Sequence, residues 1–173
     1  TGDLDLCLSF KNKTPRKVLR KISGLLHEEG MENIQLIPKA RIPIVKFKDP
    51  RSGLDVDISL DNRLAIYNSH LLKSYAQEDR LRRLVHMVKY WASRRGINNA
   101  FDGSLSSYAW TLLTIQHAQL VQPALAPNRQ ENCPSKPLSF QGKTFDVGFN
   151  DDDFKTENTQ SCLLYTSPSP RDG

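Results

Sequence analysis

The sequence predicts an α+β protein in two layers, a sheet with helix packed on one side followed by a run of helices. Three observations carry this. Apolar and polar residues alternate over 3–10 and again over 54–60, the period of half-buried strands. Leu81, Leu84, Val85, Val88, Trp91 and Ala92 instead recur at i, i+3, i+4 and i+7, the period of a helix. The change of texture comes once, after Asn62, and no internal repeat interrupts it. A length of 173 residues allows one or two domains, and 38% hydrophobic content is enough to bury a core, which excludes a disordered chain. No run of eighteen apolar residues is present, so no membrane partner is expected.

Taken in order, residues 3–10 read as a strand closed by Lys11-Asn12-Lys13. A helix follows, with Thr14 as N-cap, Pro15 at the first helical position and Val18, Leu19, Ile22, Leu25 and Leu26 on its apolar face up to Gly30. Arg16, Lys17, Arg20 and Lys21 on its other face read as a solvated surface, with a dedicated RNA contact as the alternative. Residues 31–37 form a second strand and 42–47 a third. Asp49-Pro50-Arg51-Ser52-Gly53 has the composition of a turn, which makes the third strand and the 54–60 strand a hairpin. The 81–92 helix stops at Gly96, and another begins near Ser104–Ser107 and ends before Pro123. Residues 123–137 read as a long loop, and Phe145–Phe149 as a short extended element.

Two acidic pairs at spacing two stand out: Asp3 and Asp5, then Asp55 and Asp57. In a strand that spacing puts both carboxylates on one face, opposite Leu4, Leu6 and Leu8 in the first strand and Leu54, Val56, Ile58 and Leu60 in the other. We expect these strands to lie side by side and to gather three carboxylates, an arrangement that holds divalent metal. Spacing leaves Asp55 and Asp57 as alternatives. The four histidines show no ligand spacing that would point to zinc. Basic residues exceed acidic ones by eleven to six over 1–53 and balance thirteen to thirteen beyond. A metal-binding face framed by positive charge implies a polyanionic partner, nucleotide or nucleic acid.

The end of the chain has a different character. Residues 162–172, CLLYTSPSPRD, resemble a translated sequencing-adapter read-through, so 161–173 are set apart from the fold and the natural sequence is expected to break off near Gln160. Cys7 and Cys133 then remain, too few for a disulfide framework, which suits a reducing compartment. The mid-strand opening suggests residues upstream of Thr1.

The order of motifs resembles a known family. An Asp-x-Asp strand is followed by a third acidic strand, then by Asn62-Arg63-Leu64-Ala65-Ile66-Tyr67-Asn68, Val88-Lys89-Tyr90-Trp91-Ala92 and Gly103-Ser104-Leu105-Ser106-Ser107-Tyr108. This is similar to the terminal RNA nucleotidyltransferases, the cytoplasmic poly(A) polymerases and terminal uridylyltransferases of the polymerase-beta superfamily. The similarity runs from Gly2 to about Phe149.

The resemblance implies a polymerase-beta-like nucleotidyltransferase palm, a mixed sheet with helix, over 1–62. It implies an α-helical central, poly(A) polymerase-associated domain over 63–160, with both parts incomplete. It implies template-independent addition of ribonucleotides to an RNA 3′ end with Mg2+ or Mn2+. UTP is preferred because the Asn62–Asn68 stretch looks most like the uridylyltransferases, and ATP is the alternative substrate. Cytoplasmic localisation follows from the same likeness, with the nucleus as the second compartment.

Residue by residue, Asp3, Asp5 and Asp57 match the catalytic metal ligands, and Asp57 is preferred over Asp55 because it precedes Ile58 in the family's way. Asn68 matches a ribose contact, Lys89 a triphosphate lysine, and Ser107 and Tyr108 a phosphate-touching hydroxyl and a base-stacking ring, with Asn62 a further nucleotide contact. Ser93 departs from the pattern, standing where a second triphosphate lysine is common. The upstream Gly-Ser phosphate loop and the downstream base-selecting segment are not in this sequence, so residues 1–160 alone are expected to turn over little and to expose Leu112 and Leu113. A non-catalytic RNA-binding scaffold is the rival from another class.

Overall fold

The computed structural model describes residues 4–9, 15–153 and 155–159. Asp3, the Thr14 cap and the 161–173 segment lie outside the described residues. The chain divides into two compact units, 1–67 and 68–173.

The first unit holds β1 (Leu4–Leu8), α1 (Pro15–Glu28), β2 (Glu32–Ile37), β3 (Ile44–Lys48) and β4 (Asp55–Leu60). The four strands form one sheet in the order β1-β4-β3-β2. β1 runs parallel to β4, while β3 is antiparallel to both β4 and β2, so the sheet is mixed. The β3–β4 hairpin is closed as its turn composition requires. Asp49 accepts from the Arg51 amide at 3.0 Å and the Ser52 hydroxyl at 2.6 Å, and its own amide donates to the Leu54 carbonyl at 2.9 Å. β3 begins two residues later than the predicted 42–47 strand, because Pro43 has no amide to give to a ladder, and ends one later, where Lys48 still pairs with Asp55.

The core of this unit is one face of the sheet under α1. Leu19 and Val45 are fully buried and Leu60 nearly so, with Leu8, Val18, Ile22, Leu26, Ile34 and Leu36 around them. Full burial of such a side chain contributes about 1.5–3 kcal/mol, and the partly buried ones contribute less. Burial alternates along β4: Val56, Ile58 and Leu60 are buried, and Asp55, Asp57 and Ser59 are not. The pleat thus turns the acids to the face away from α1. The expected apolar face of β1 is only partly realised, since Leu4 and Leu6 are 44% and 38% exposed. The reason is position: β1 is an edge strand, and α1 packs over β2 and β3. Leu25, predicted on the apolar face of α1, is also exposed.

The division between units falls within α2 (Arg63–Tyr75), a helix the sequence reading had not drawn as an element. The second unit continues with α3 (Asp79–Arg94), a 3-10 turn at Ala100–Asp102, α4 (Ser107–Leu120), and a hairpin of β5 (Pro137–Phe140) and β6 (Lys143–Asp146). Its core gathers Tyr75 from α2, Leu81 from α3, Ile115 and Ala118 from α4, and Leu125 and Ala126 from the loop beyond. α3 ends as its Gly96 predicts. Gly96 takes φ +65°, its amide donates to the Ser93 carbonyl, and the Ile97 amide donates to Ala92, a Schellman cap. α4 starts at a true N-cap, the Ser106 side chain accepting from the Ala109 amide at 3.1 Å. Leu112 and Leu113 are 40% and 51% exposed, as expected.

The stretch after α4 lacks periodicity but not order. The Tyr75 hydroxyl accepts from the Arg129 amide at 3.1 Å and from Gln119 Nε2 at 2.9 Å. The guanidinium of Arg129 lies 5.6 Å from the Tyr75 ring centre and donates to the Asn150 and Asp152 carbonyls. Asp146, at the end of β6, accepts from the amides of Lys136 at 2.9 Å and Gly148 at 3.0 Å and from the Ser135 hydroxyl at 2.7 Å. The Lys136 amide first, then the Gly148 amide and the Ser135 hydroxyl, hold its carboxyl below the ordinary carboxylate range. A depressed folded pKa contributes stability that is present above the unfolded value and lost as pH falls through the folded one. Acid titration followed by hydrogen exchange should therefore show the 135–148 amides losing protection below the normal aspartate range, and Asp146→Asn should remove that dependence.

Candidate active site

The parallel register of β1 and β4 sets Asp5 directly beside Asp57, as Cα partners on neighbouring strands. Strands lie about 4.8 Å apart, so two side chains on the same face of such a pair can share one ion. The expectation that these strands pair and bring acids together is met for Asp5 and Asp57, and Asp3 lies outside the described residues. Asp55 is exposed and Asp57 half-buried.

On its other side Asp57 meets β3. Lys46 is its antiparallel partner, and Lys46 Nζ donates to Asp57 Oδ2 at 2.6 Å. The side chains are 45% and 26% exposed, so this is a partly screened, charge-assisted hydrogen bond. Sequence reasoning passed over Lys46, although a signal existed. Lys46 and Asp57 each lie three residues from the turn-closing pair Asp49 and Leu54, so the hairpin register alone sets them opposite one another.

The donor set fits a hard divalent cation. Its described members offer carboxylate oxygens on neighbouring strands, and Lys46 shows that Asp57 takes a cation at close range. Among the described residues no group of three or more acidic, histidine or cysteine side chains forms a metal cluster.

The remaining predicted residues occupy distinct places. Asn62 follows β4, and its side chain accepts from the Ala65 amide at 3.4 Å, a cap for the start of α2. In the second unit, Asn68 is half-buried in the middle of α2 and Lys89 is exposed on α3. Lys89 lines a cavity of about 200 Å³ with His86, Thr111 and Ile115. Ser107 and Tyr108 open α4. Tyr108 is 43% exposed and so is not a core aromatic, and the Ser107 hydroxyl is 3.5 Å from Asn98 Nδ2.

The arginines near the start of α3 are paired with acids. Glu78 pairs with Arg80, and Asp79 with Arg82 and Arg83. Ser93 lies in the last turn of α3, with Arg94 the next residue.

A mixed sheet covered by helix on one face, with acids in register on the other and a helical unit after it, is a polymerase-beta-like nucleotidyltransferase palm followed by a helical region. Residues 1–77 match the family model described as poly(A) RNA polymerase, mitochondrial-like, central palm domain. Poly(A) RNA polymerase GLD2-A of Xenopus laevis is 38% identical over 142 residues, which is 77% of this chain and 28% of that protein. Terminal uridylyltransferase cid1 of Schizosaccharomyces pombe is 35% identical over 174 residues, 96% of this chain and 42% of that protein. A crystal structure of the Cid1 poly(U) polymerase with magnesium and 3′-dATP superposes with a TM-score of 0.81 at 33% identity, over 93% of this chain and 52% of that one. The chain thus belongs to the terminal RNA nucleotidyltransferases, the family of these poly(A) polymerases and uridylyltransferases, and it spans less than half the length of the two curated relatives. No helix among the described residues is long and apolar enough to cross a membrane.

Proposed function

We propose that the protein adds ribonucleotides, UTP in preference to ATP, to RNA 3′ ends without a template. The observation that carries this is the in-register pair Asp5 and Asp57 on a palm of this family. Asp3, Asp5 and Asp57 would hold Mg2+ or Mn2+, which when bound would polarise the reacting phosphate and offset the charge of the departing pyrophosphate. Asp57 also takes the proton of the attacking 3′-hydroxyl. The 3′ oxygen bonds to the α-phosphorus, the bond from that phosphorus to the bridging oxygen breaks, and pyrophosphate leaves.

Residues 63–160 form the helical central domain in this reading. There Lys89 neutralises triphosphate charge, the Ser107 hydroxyl donates to a phosphate oxygen, exposed Tyr108 offers a face on which a base stacks, and Asn68 with Asn62 binds the nucleotide. Stacking gives affinity without choosing the base. ATP use is the second reading, favoured by the likeness to a protein named as a poly(A) polymerase. The protein works in the cytoplasm.

The test is extension of a labelled RNA primer by the full-length protein with magnesium and each of the four ribonucleotides in turn. Extension with UTP ahead of ATP is expected, and Asp3→Ala should abolish it. RNA binding with no extension by any nucleotide would move the protein to the scaffold class.

A further inference from the structure

We propose that Lys46 is a positioning residue for the metal-binding face, acting through Asp57. The inference rests on the reading that Asp5 and Asp57 hold divalent metal.

Lys46, Asp57 and Asp5 form one row across three adjacent strands, a cation beside two anions, because both registers run through Asp57. The ammonium takes Oδ2 of Asp57 at 2.6 Å and leaves Oδ1 for other ligands. A carboxylate turns freely about its last bond unless one oxygen is held, so the contact fixes the plane in which the other oxygen is presented.

Ladder pairing alone does not produce this contact. Lys48 and Asp55 share the same register one step nearer the turn, yet only Lys46 and Asp57 close to an ion pair. Partial burial of Asp57 adds to the effect, since the pair is less screened than one on an open surface.

Two consequences follow from the charge. With no metal bound, Lys46 offsets part of the repulsion between the neighbouring carboxylates. With metal bound, it is a positive charge beside a divalent cation and so weakens that cation's affinity while holding its ligand in place. Lys46 therefore exchanges metal affinity for ligand geometry.

The experiment measures Mn2+ binding to the full chain by electron paramagnetic resonance, without nucleotide or RNA, beside primer-extension kinetics and thermal melting. Lys46→Met keeps the aliphatic stem and removes the charge. It should tighten Mn2+ binding by about fivefold, the scale of one screened charge at this range. It should also lower kcat by about tenfold or more while the KM values for nucleotide and RNA stay within about twofold, the signature of lost transition-state positioning. Lys46→Arg, which keeps the charge, should retain wild-type Mn2+ affinity. In an Asp57→Asn background, Lys46→Met should change Mn2+ affinity and kcat by clearly less than it does in the wild-type background, because the carboxylate it positions is gone.

Unchanged Mn2+ affinity in Lys46→Met overturns the proposal. A raised RNA KM with kcat and Mn2+ affinity intact also overturns it and makes Lys46 an RNA-backbone contact. A wild-type chain that binds Mn2+ in a Lys46-dependent way but extends no RNA defeats the functional reading and leaves this one standing. Failure of the wild-type chain to bind Mn2+ defeats both.

Discussion

Asp5→Ala and Asp57→Ala should each lower RNA extension by on the order of 10³-fold or more, the scale on which loss of a transition-state electrostatic group is felt. The fold should survive both. Asp5 is exposed on an edge strand, and the Lys46 left behind by Asp57→Ala is 45% exposed, so water replaces its partner at little cost. Asp55→Ala is the decisive comparison. Asp55 lies on the same face of the same strand but is paired in register with Lys48, one step away from the row that contains Asp5. It should keep near-normal extension. Primer extension and circular dichroism on the three variants of the full-length protein check this, and loss of activity in Asp55→Ala with activity kept in Asp57→Ala would reverse the assignment.

The largest expected effect on stability comes from Gly148→Ala. A Cβ at this position would stand 2.2 Å from the Pro134 carbonyl oxygen and 3.2 Å from Asp146 Oδ1. The first obstacle is backbone and cannot swing aside. The Gly148 amide also donates to Asp146, whose carboxylate holds Ser135 and Lys136, so any shift loosens the whole turn. The cost should reach about 2–3 kcal/mol, the upper part of the overpacking range. A chain of this size should then melt about 4–12 °C lower. Gly24→Ala is the control: its site in α1 has nothing within 4 Å, and alanine in a helix should stabilise by about 0.5–1 kcal/mol. Thermal melts that move both variants in the same direction would refute the steric argument.

Period-two alternation was enough to turn Asp5 and Asp57 away from the apolar faces of β1 and β4, because a strand permits only two faces, and the matching acidic patterns of the two strands pointed to their pairing. α3 and α4 were legible for a similar reason, with 3.6-residue periodicity bounded by Gly96 and Ser106. What escaped has local causes. α2 carries polar residues through its apolar positions, so its motif was easier to read than its helix. The β5–β6 hairpin is made of four-residue strands just after a proline-rich loop, too short for alternation to register. The pairing of Glu78 and Asp79 with arginines of α3 depends on where the helix begins, which periodicity fixes poorly. Lys46 escaped because a lysine on a half-buried strand reads as solvated until the register names its neighbour. Where Asn68, Lys89, Ser107 and Tyr108 lie against a bound nucleotide depends on contacts that a sequence pattern does not encode.

The row of Lys46, Asp57 and Asp5 joins chain segments of very different separation. Lys46 and Asp57 are eleven residues apart and meet across a hairpin, whereas Asp5 and Asp57 are joined by a parallel crossover that carries α1 and the β2–β3 pair between them. Chain-closure entropy grows with the logarithm of the separation, which makes the Asp5 contact about 1.4 kcal/mol harder to close than the Lys46 contact. The lysine that orients Asp57 therefore belongs to the local part of the sheet, and the second carboxylate to its long-range part. A weakened sheet loses the carboxylate pair before it loses the ion pair.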